Sequence, residues 1–120
     1  MTVMFKIKVG LDLQHVPTFA KSLQDGGSVL RSKLFTQNEQ KENQDIEKLA
    51  GVFTAKEAVV KALGKNFDQY NQLEIKKLNS GKPVLAKPLE ILKENHSLDI
   101  SISHDGKYVA ACCVFLTNAK

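Results

Sequence analysis

The chain has 120 residues, 42% of them hydrophobic, with 17 basic and 13 acidic side chains and a formal net charge of +4. That length suits one ordinary core and a single domain over residues 1–120, and no Gly-, Pro- or Ser-rich run divides it. No apolar run approaches the roughly 20 residues that a membrane helix needs, and no helix-turn-helix or zinc-ligand spacing accompanies the basic charge, so neither a membrane nor a nucleic acid is an expected partner.

In chain order, MTVMFKIKVG lacks the pattern of a signal peptide, which points to a soluble, cytoplasmic protein. Val3, Phe5, Ile7, Val9 and Leu11 alternate with Lys6, Lys8, Gly10 and Asp12, which predicts a strand over Val3–Leu13 whose polar face ends in a carboxylate. Pro17 allows a short helix over Thr18–Leu23, and Asp25, Gly26 and Gly27 read as a loop. Thr36-Gln-Asn-Glu39 fits a capping box that opens a short polar helix. A longer helix follows from about Gln44 to Leu63, ended by Gly64.

Leu73–Leu78 and Val84–Leu85 read as strands joined through Asn79-Ser80-Gly81-Lys82. Pro88 suits the first position of a helix reaching about Asn95. Leu98, Ile100 and Ile102 alternate with Asp99, Ser101 and Ser103, and a His104-Asp105-Gly106 turn leads into Tyr108–Leu116, apolar on both faces as a central strand is. Cys112 and Cys113 are adjacent in that run, so they point to opposite faces and read as small buried residues rather than a disulfide. The pattern predicts an α+β fold, a largely antiparallel sheet packed on one long helix.

The long helix contains the stretch FTAKEAVVKALG, where Glu57 falls within about a third of a turn of Ile46, Ala50, Phe53 and Val60 and so on the stripe expected to face the core. A buried carboxylate without partners costs several kcal/mol. One reading is a half-exposed helix with a Glu57–Lys61 pair worth a few tenths of a kcal/mol. The other is a site, a carboxylate held by a metal ion with a lysine beside it for an anion. Asp12 at a strand end, Glu57 with Lys61, and Ser103-His104 are the candidate functional places. Two carboxylates from different elements with no Cys or His cluster suit Mg²⁺, whose remaining ligands are waters and substrate phosphates. Asp12 as a strand terminator and His104 as an ordinary turn histidine are the alternatives, and His15 and His96 read as structural.

Together these places resemble the holo-acyl-carrier-protein synthase family of 4'-phosphopantetheinyl transferases. Val9-Gly-Leu-Asp-Leu13 is similar to the family's glycine-x-aspartate strand, and Leu34-Phe-Thr-Gln-Asn-Glu39 to its threonine-x-x-glutamate segment. Leu49–Gly64 resembles its signature helix, while Gly81-Lys82-Pro83 and Ile100–Tyr108 match its last two motifs. The resemblance implies Mg²⁺-dependent transfer of 4'-phosphopantetheine from coenzyme A to a serine of an acyl carrier protein, releasing adenosine 3',5'-bisphosphate. It implies Asp12 and Glu57 as metal ligands and Lys61 on a phosphate oxygen. His104, with Ser103, would meet the diphosphate, and Gly81, Lys82 and Pro83 would contact coenzyme A. It also implies a homotrimer with sites between subunits.

Three departures stand out. Val52 occupies the position of an arginine that contacts the nucleotide in relatives, with Lys65 a candidate to compensate. The glycine- and threonine-rich loop expected after the helix reads Lys65-Asn-Phe-Asp-Gln69, and the first helix, basic in relatives, reads Pro17-Thr-Phe-Ala-Lys21. Val52 favours the competing reading, a divergent homologue that binds coenzyme A or a carrier protein without turnover.

Overall fold

The run that is apolar on both faces, β5 (Tyr108–Asn118), forms the centre of a three-stranded antiparallel sheet with β1 (Phe5–His15) on one side and β4 (Ser97–Asp105) on the other. The computed structural model describes residues 4–67, 69–92 and 96–118. The expected places of Val3 in the first strand, of Asp68 in the loop after the long helix, and of residues 93–95 in the Pro88 helix lie outside them. Gly106, at φ 57°, turns the chain between β4 and β5, so His104 lies within β4 rather than in the turn as expected.

The long helix, α3 (Ile46–Leu63), begins two residues later than the apolar pattern suggests, because the Asp45 side chain accepts the Lys48 N–H as its cap. Gly64 ends it at φ 66°, a left-handed conformation that glycine adopts without strain. Small residues let α3 sit close on the sheet: a Cβ on Gly10 of β1 would fall 1.8 Å from the Ala58 carbonyl oxygen. The rest of α3 is covered by α1 (Val16–Leu34), α2 (Gln37–Glu42), a 3₁₀ turn at Tyr70–Gln72 and the hairpin of β2 (Glu74–Lys77) and β3 (Pro83–Lys87).

The capping box is present: the Thr36 hydroxyl accepts from Glu39 N–H, and the Glu39 carboxylate accepts from Thr36 N–H. Among its described residues the Pro88 segment forms a 3₁₀ turn, Leu89–Ile91. The first helix is longer than expected. It runs through Asp25 and Gly26, breaks only at Gly27 (φ 62°, ψ −154°) and resumes to Leu34. Buried Val16, Phe19 and Leu23 hold its first half, with the Phe19 ring stacked on Phe53 at 5.2 Å.

Strand β1 inverts the usual rule that the apolar face turns inward. Phe5, Ile7, Val9, Leu11 and Leu13 are 53–65% exposed, whereas Gly10 on the polar face is buried against α3. Close approach to the helix selects the face without a side chain. The abandoned apolar face continues into Val114 and Leu116 of β5, which pair with Val9 and Ile7. Among the described residues no helix is long and apolar enough to cross a membrane.

Candidate active site

Packing α3 on β1 through Gly10 brings the next residue on that face, Asp12, to the flank of the helix that carries Glu57 and Lys61. Lys61 Nζ donates to Asp12 Oδ1 (3.2 Å) and to the Leu11 carbonyl (2.9 Å), and Gln14 Nε2 donates to Asp12 Oδ2 (2.9 Å). Lys61 therefore pairs with Asp12 and not with Glu57. Among the described residues Glu57 has no ion-pair partner. The Glu57 stripe also differs from expectation. Ala50 is buried, but Ile46, Phe53, Glu57 and Val60 are only half-buried, because α3 is covered so completely elsewhere that this is its open face.

The phenol of Tyr70 shares that face. Its ring lies 5.8 Å from Phe53, and partial burial, hydrogen bonding to Glu57 and the negative charge of Glu57 and Asp12 push its pKa up to about 12. The carboxylates thus act on a common neighbour. A cavity of about 480 Å³, bounded by Leu11, Asp12, Leu13, Lys61 and Ala110, opens around the β1 edge toward the exposed apolar face.

The donor set fits a hard cation. The carboxylates of Asp12 and Glu57 offer oxygen only, and among the described residues no three His, Cys, Asp or Glu side chains converge. The protein would supply two ligands and leave the others to water and phosphate, as Mg²⁺ prefers.

The remaining motif residues gather on the opposite flank. Val52 is about 140° round the helix from Glu57. It lines a cavity of about 160 Å³ with Gly51, Gly81, Pro83 and His104, into which Lys48 and Lys77 also face. Gly51 gives His104 its place: the imidazole lies where a Cβ on that glycine would stand 3.6 Å away. Ser103, the alternate residue on β4, shares the other sheet face with Ala110. Lys82 turns away to pair with Asp99 at 2.6 Å and holds that carboxyl below the ordinary range. Lys65 lines a separate cavity of about 290 Å³ with Lys8, His96 and Phe115.

Lys56 is the buried charge that the sequence pattern does not reveal. Its ammonium donates to Glu39 (2.6 Å), the Leu34 carbonyl (2.8 Å) and the Tyr70 carbonyl (2.9 Å), and both members of the ion pair are 0% exposed. Glu39 also accepts from Thr36 and Ile75 N–H groups. Burial pushes Glu39 up and Lys56 down, each opposed by the attraction of the other. The only advance signal is the capping box, since nothing local links Glu39 to a lysine on another helix. This pair fixes the Tyr70 backbone and thereby the wall of the Glu57 site.

The chain is similar to known proteins. The family model of the 4'-phosphopantetheinyl transferase superfamily matches residues 8–113. A holo-[acyl-carrier-protein] synthase of Fusobacterium nucleatum is 34% identical over 122 aligned positions, which cover 92% of this chain and 98% of that one. The apo-ACPS structure of Chronobacterium ammoniagenes superposes with a TM-score of 0.83 at 30% identity, covering 97% of this chain and 100% of the other. Its coenzyme A complex superposes at 0.79 and 30% identity, over 96% and 99% of the two chains. The chain belongs to the holo-[acyl-carrier-protein] synthase family within that superfamily, and it is a transferase.

Proposed function

We propose that the protein moves the 4'-phosphopantetheine arm of coenzyme A to a serine hydroxyl of an acyl carrier protein, requires Mg²⁺, and works as a cytoplasmic homotrimer. In the reaction the serine oxygen bonds to the pantetheine-side phosphorus and gives up its proton to a base or to solvent, the bond from that phosphorus to the bridging oxygen breaks, and adenosine 3',5'-bisphosphate leaves with the bridging oxygen. The observation that carries this reading is the division of the motif residues. Asp12, Glu57 and Lys61 stand on one flank of α3, His104 and the Val52 cavity on the other. Each half offers what the other lacks.

The exposed apolar face of β1 supplies a reason for the halves to meet between chains. Water-exposed apolar patches of this kind mark association surfaces, and the carboxylate cavity opens directly onto this one. A second copy seated there would place its His104 cavity opposite Asp12. Asp12 and Glu57 would then hold Mg²⁺, which when bound neutralises charge developing on the leaving phosphate. Lys61, 52% exposed and among the described residues tied only to Asp12 and a carbonyl, is free to transfer its ammonium to a phosphate oxygen. His104 would donate to the diphosphate from across the interface.

The test is intact-mass analysis of apo acyl carrier proteins after incubation with the protein, coenzyme A and Mg²⁺. One added phosphopantetheine per carrier is expected. Glu57→Gln and Asp12→Asn should each lower the rate about 10²- to 10³-fold with an unchanged circular-dichroism spectrum. Coenzyme A binding with no mass gain on any carrier would instead support the non-catalytic homologue. Sedimentation should give a trimer that Val9→Lys dissociates.

A further inference from the structure

We propose that Lys48 and Lys77 form the subsite for the ribose 3'-phosphate of the donor and set the preference of this chain among nucleotides, a role the sequence offers to Lys65. The inference rests on coenzyme A being the donor, as proposed above. Coenzyme A presents two separate anionic groups, a diphosphate and a phosphate monoester. The Asp12 flank, with its pair of carboxylates, suits the first only through a cation.

The Val52 cavity has the opposite chemistry. Lys48, Lys77 and His104 line it, and among the described residues no carboxylate does. Lys48 precedes Val52 by one helical turn, so its side chain lies over the same strip of surface. Val52 itself presents only methyl groups there. Lys77 is the last residue of β2, opposite Pro83, and enters from the hairpin side. Gly51 and Gly81 leave the space between them open.

The lysines of the other motifs, and the neighbour of Lys77, lie elsewhere. Lys82 is held by Asp99, Lys61 by Asp12, and Lys65 lies in another cavity with Lys8 and Phe115. Lys76, the neighbour of Lys77, faces a different small cavity beside Glu39 and Glu74. Two flexible ammonium groups act as point charges rather than as a planar fork, so the recognition reads charge more than shape and weakens with salt.

The experiment compares calorimetric binding of adenosine 3',5'-bisphosphate with that of adenosine 5'-monophosphate, alongside the ratio of kcat/KM for coenzyme A and its dephospho form. Wild type should favour the 3'-phosphorylated member about ten- to a hundredfold. The Lys48→Ala/Lys77→Ala double variant should lose about tenfold or more of that preference, the double arginine variant should keep it, and Lys76→Ala should leave it unchanged. A double alanine variant with wild-type preference, or loss of preference through Lys65→Ala alone, overturns the proposal. Equal use of both donors by wild type would overturn this assignment while leaving the transfer reaction standing. Failure to bind or use either donor would overturn the functional reading, and this inference with it.

Discussion

Helix α3 carries two lysines that each meet a carboxylate, and the pairs differ in almost every physical respect. Lys56–Glu39 is 2.6 Å long and 0% exposed on both sides, with its donors and acceptors occupied by backbone groups from four elements. Lys61–Asp12 is 3.2 Å long, with the lysine 52% and the aspartate 12% exposed. Removing water from the first pair makes it immobile, since neither partner can leave without stranding the other in the core. The second pair keeps access to water, so a cation or a phosphate can replace either partner at little cost. The buried pair builds the wall of the candidate site, and the exposed pair is free to exchange its partners.

The largest effect is therefore expected at Lys56. Lys56→Met should lower stability by about 3–5 kcal/mol, because Glu39 loses its counter-charge in the core. Urea denaturation measures this, and a loss comparable to that of a surface pair would erase the distinction drawn here. Adding Glu39→Leu should not restore the loss, since Thr36 N–H, Ile75 N–H and the Leu34 and Tyr70 carbonyls would lose partners.

Gly10→Ala comes next. The new methyl group would meet the Ala58 carbonyl, so β1 must move, at about 1–3 kcal/mol. Asp12 would move with it, and transfer activity should fall together with the melting temperature. A variant that melts lower yet turns over normally would show that the Gly10 contact does not position Asp12.

Lys61→Met sharpens the comparison from the other side. Its stability should change by less than about 1 kcal/mol, while the transfer rate falls about tenfold or more. Parallel losses of stability and rate would place Lys61 with the structural pair.

The smallest effect concerns Cys113, on the buried face of β5, whose thiol is pushed up to about 12, first by burial and then by the charges of Cys112 and Asp99. An unfolded thiol ionises near pH 8.5, so the folded state keeps its proton longer. That contribution to stability is complete below about pH 8.5 and is lost as the pH rises toward 12. Cys113→Val should flatten the alkaline part of a stability–pH curve, and an unchanged slope would contradict the assignment.

Much of the fold is legible from local rules. The capping box at Thr36, the glycine stop at Gly64, the β2–β3 hairpin and the centrality of β5 each follow from a few neighbouring residues whose physical demands are met on the spot. The reading fails where distant groups compete. The Asp25-Gly26-Gly27 segment has the composition of a loop, yet only Gly27 leaves the helix, because burial of Val16, Phe19 and Leu23 secures the turns before it. In β1 the better-looking apolar face yields the core to Gly10, since backbone contact with α3 requires a residue without a side chain.

The site divides in the same way. Residue type and motif spacing single out Asp12, Glu57, Lys61 and His104 as candidates, because the chemistry of phosphate and hard cations restricts which side chains can serve. Their partners are not. That Lys61 meets Asp12, that Lys56 rather than Glu57 is the buried charge, and that Lys48 and Lys77 rather than Lys65 surround Val52 depends on which surfaces of α3 the sheet and the β2–β3 hairpin cover. Residue type sets what a side chain can do, and local periodicity sets the element that carries it. The desolvation that makes one ion pair rigid and leaves its neighbour exchangeable arises only when the layers close.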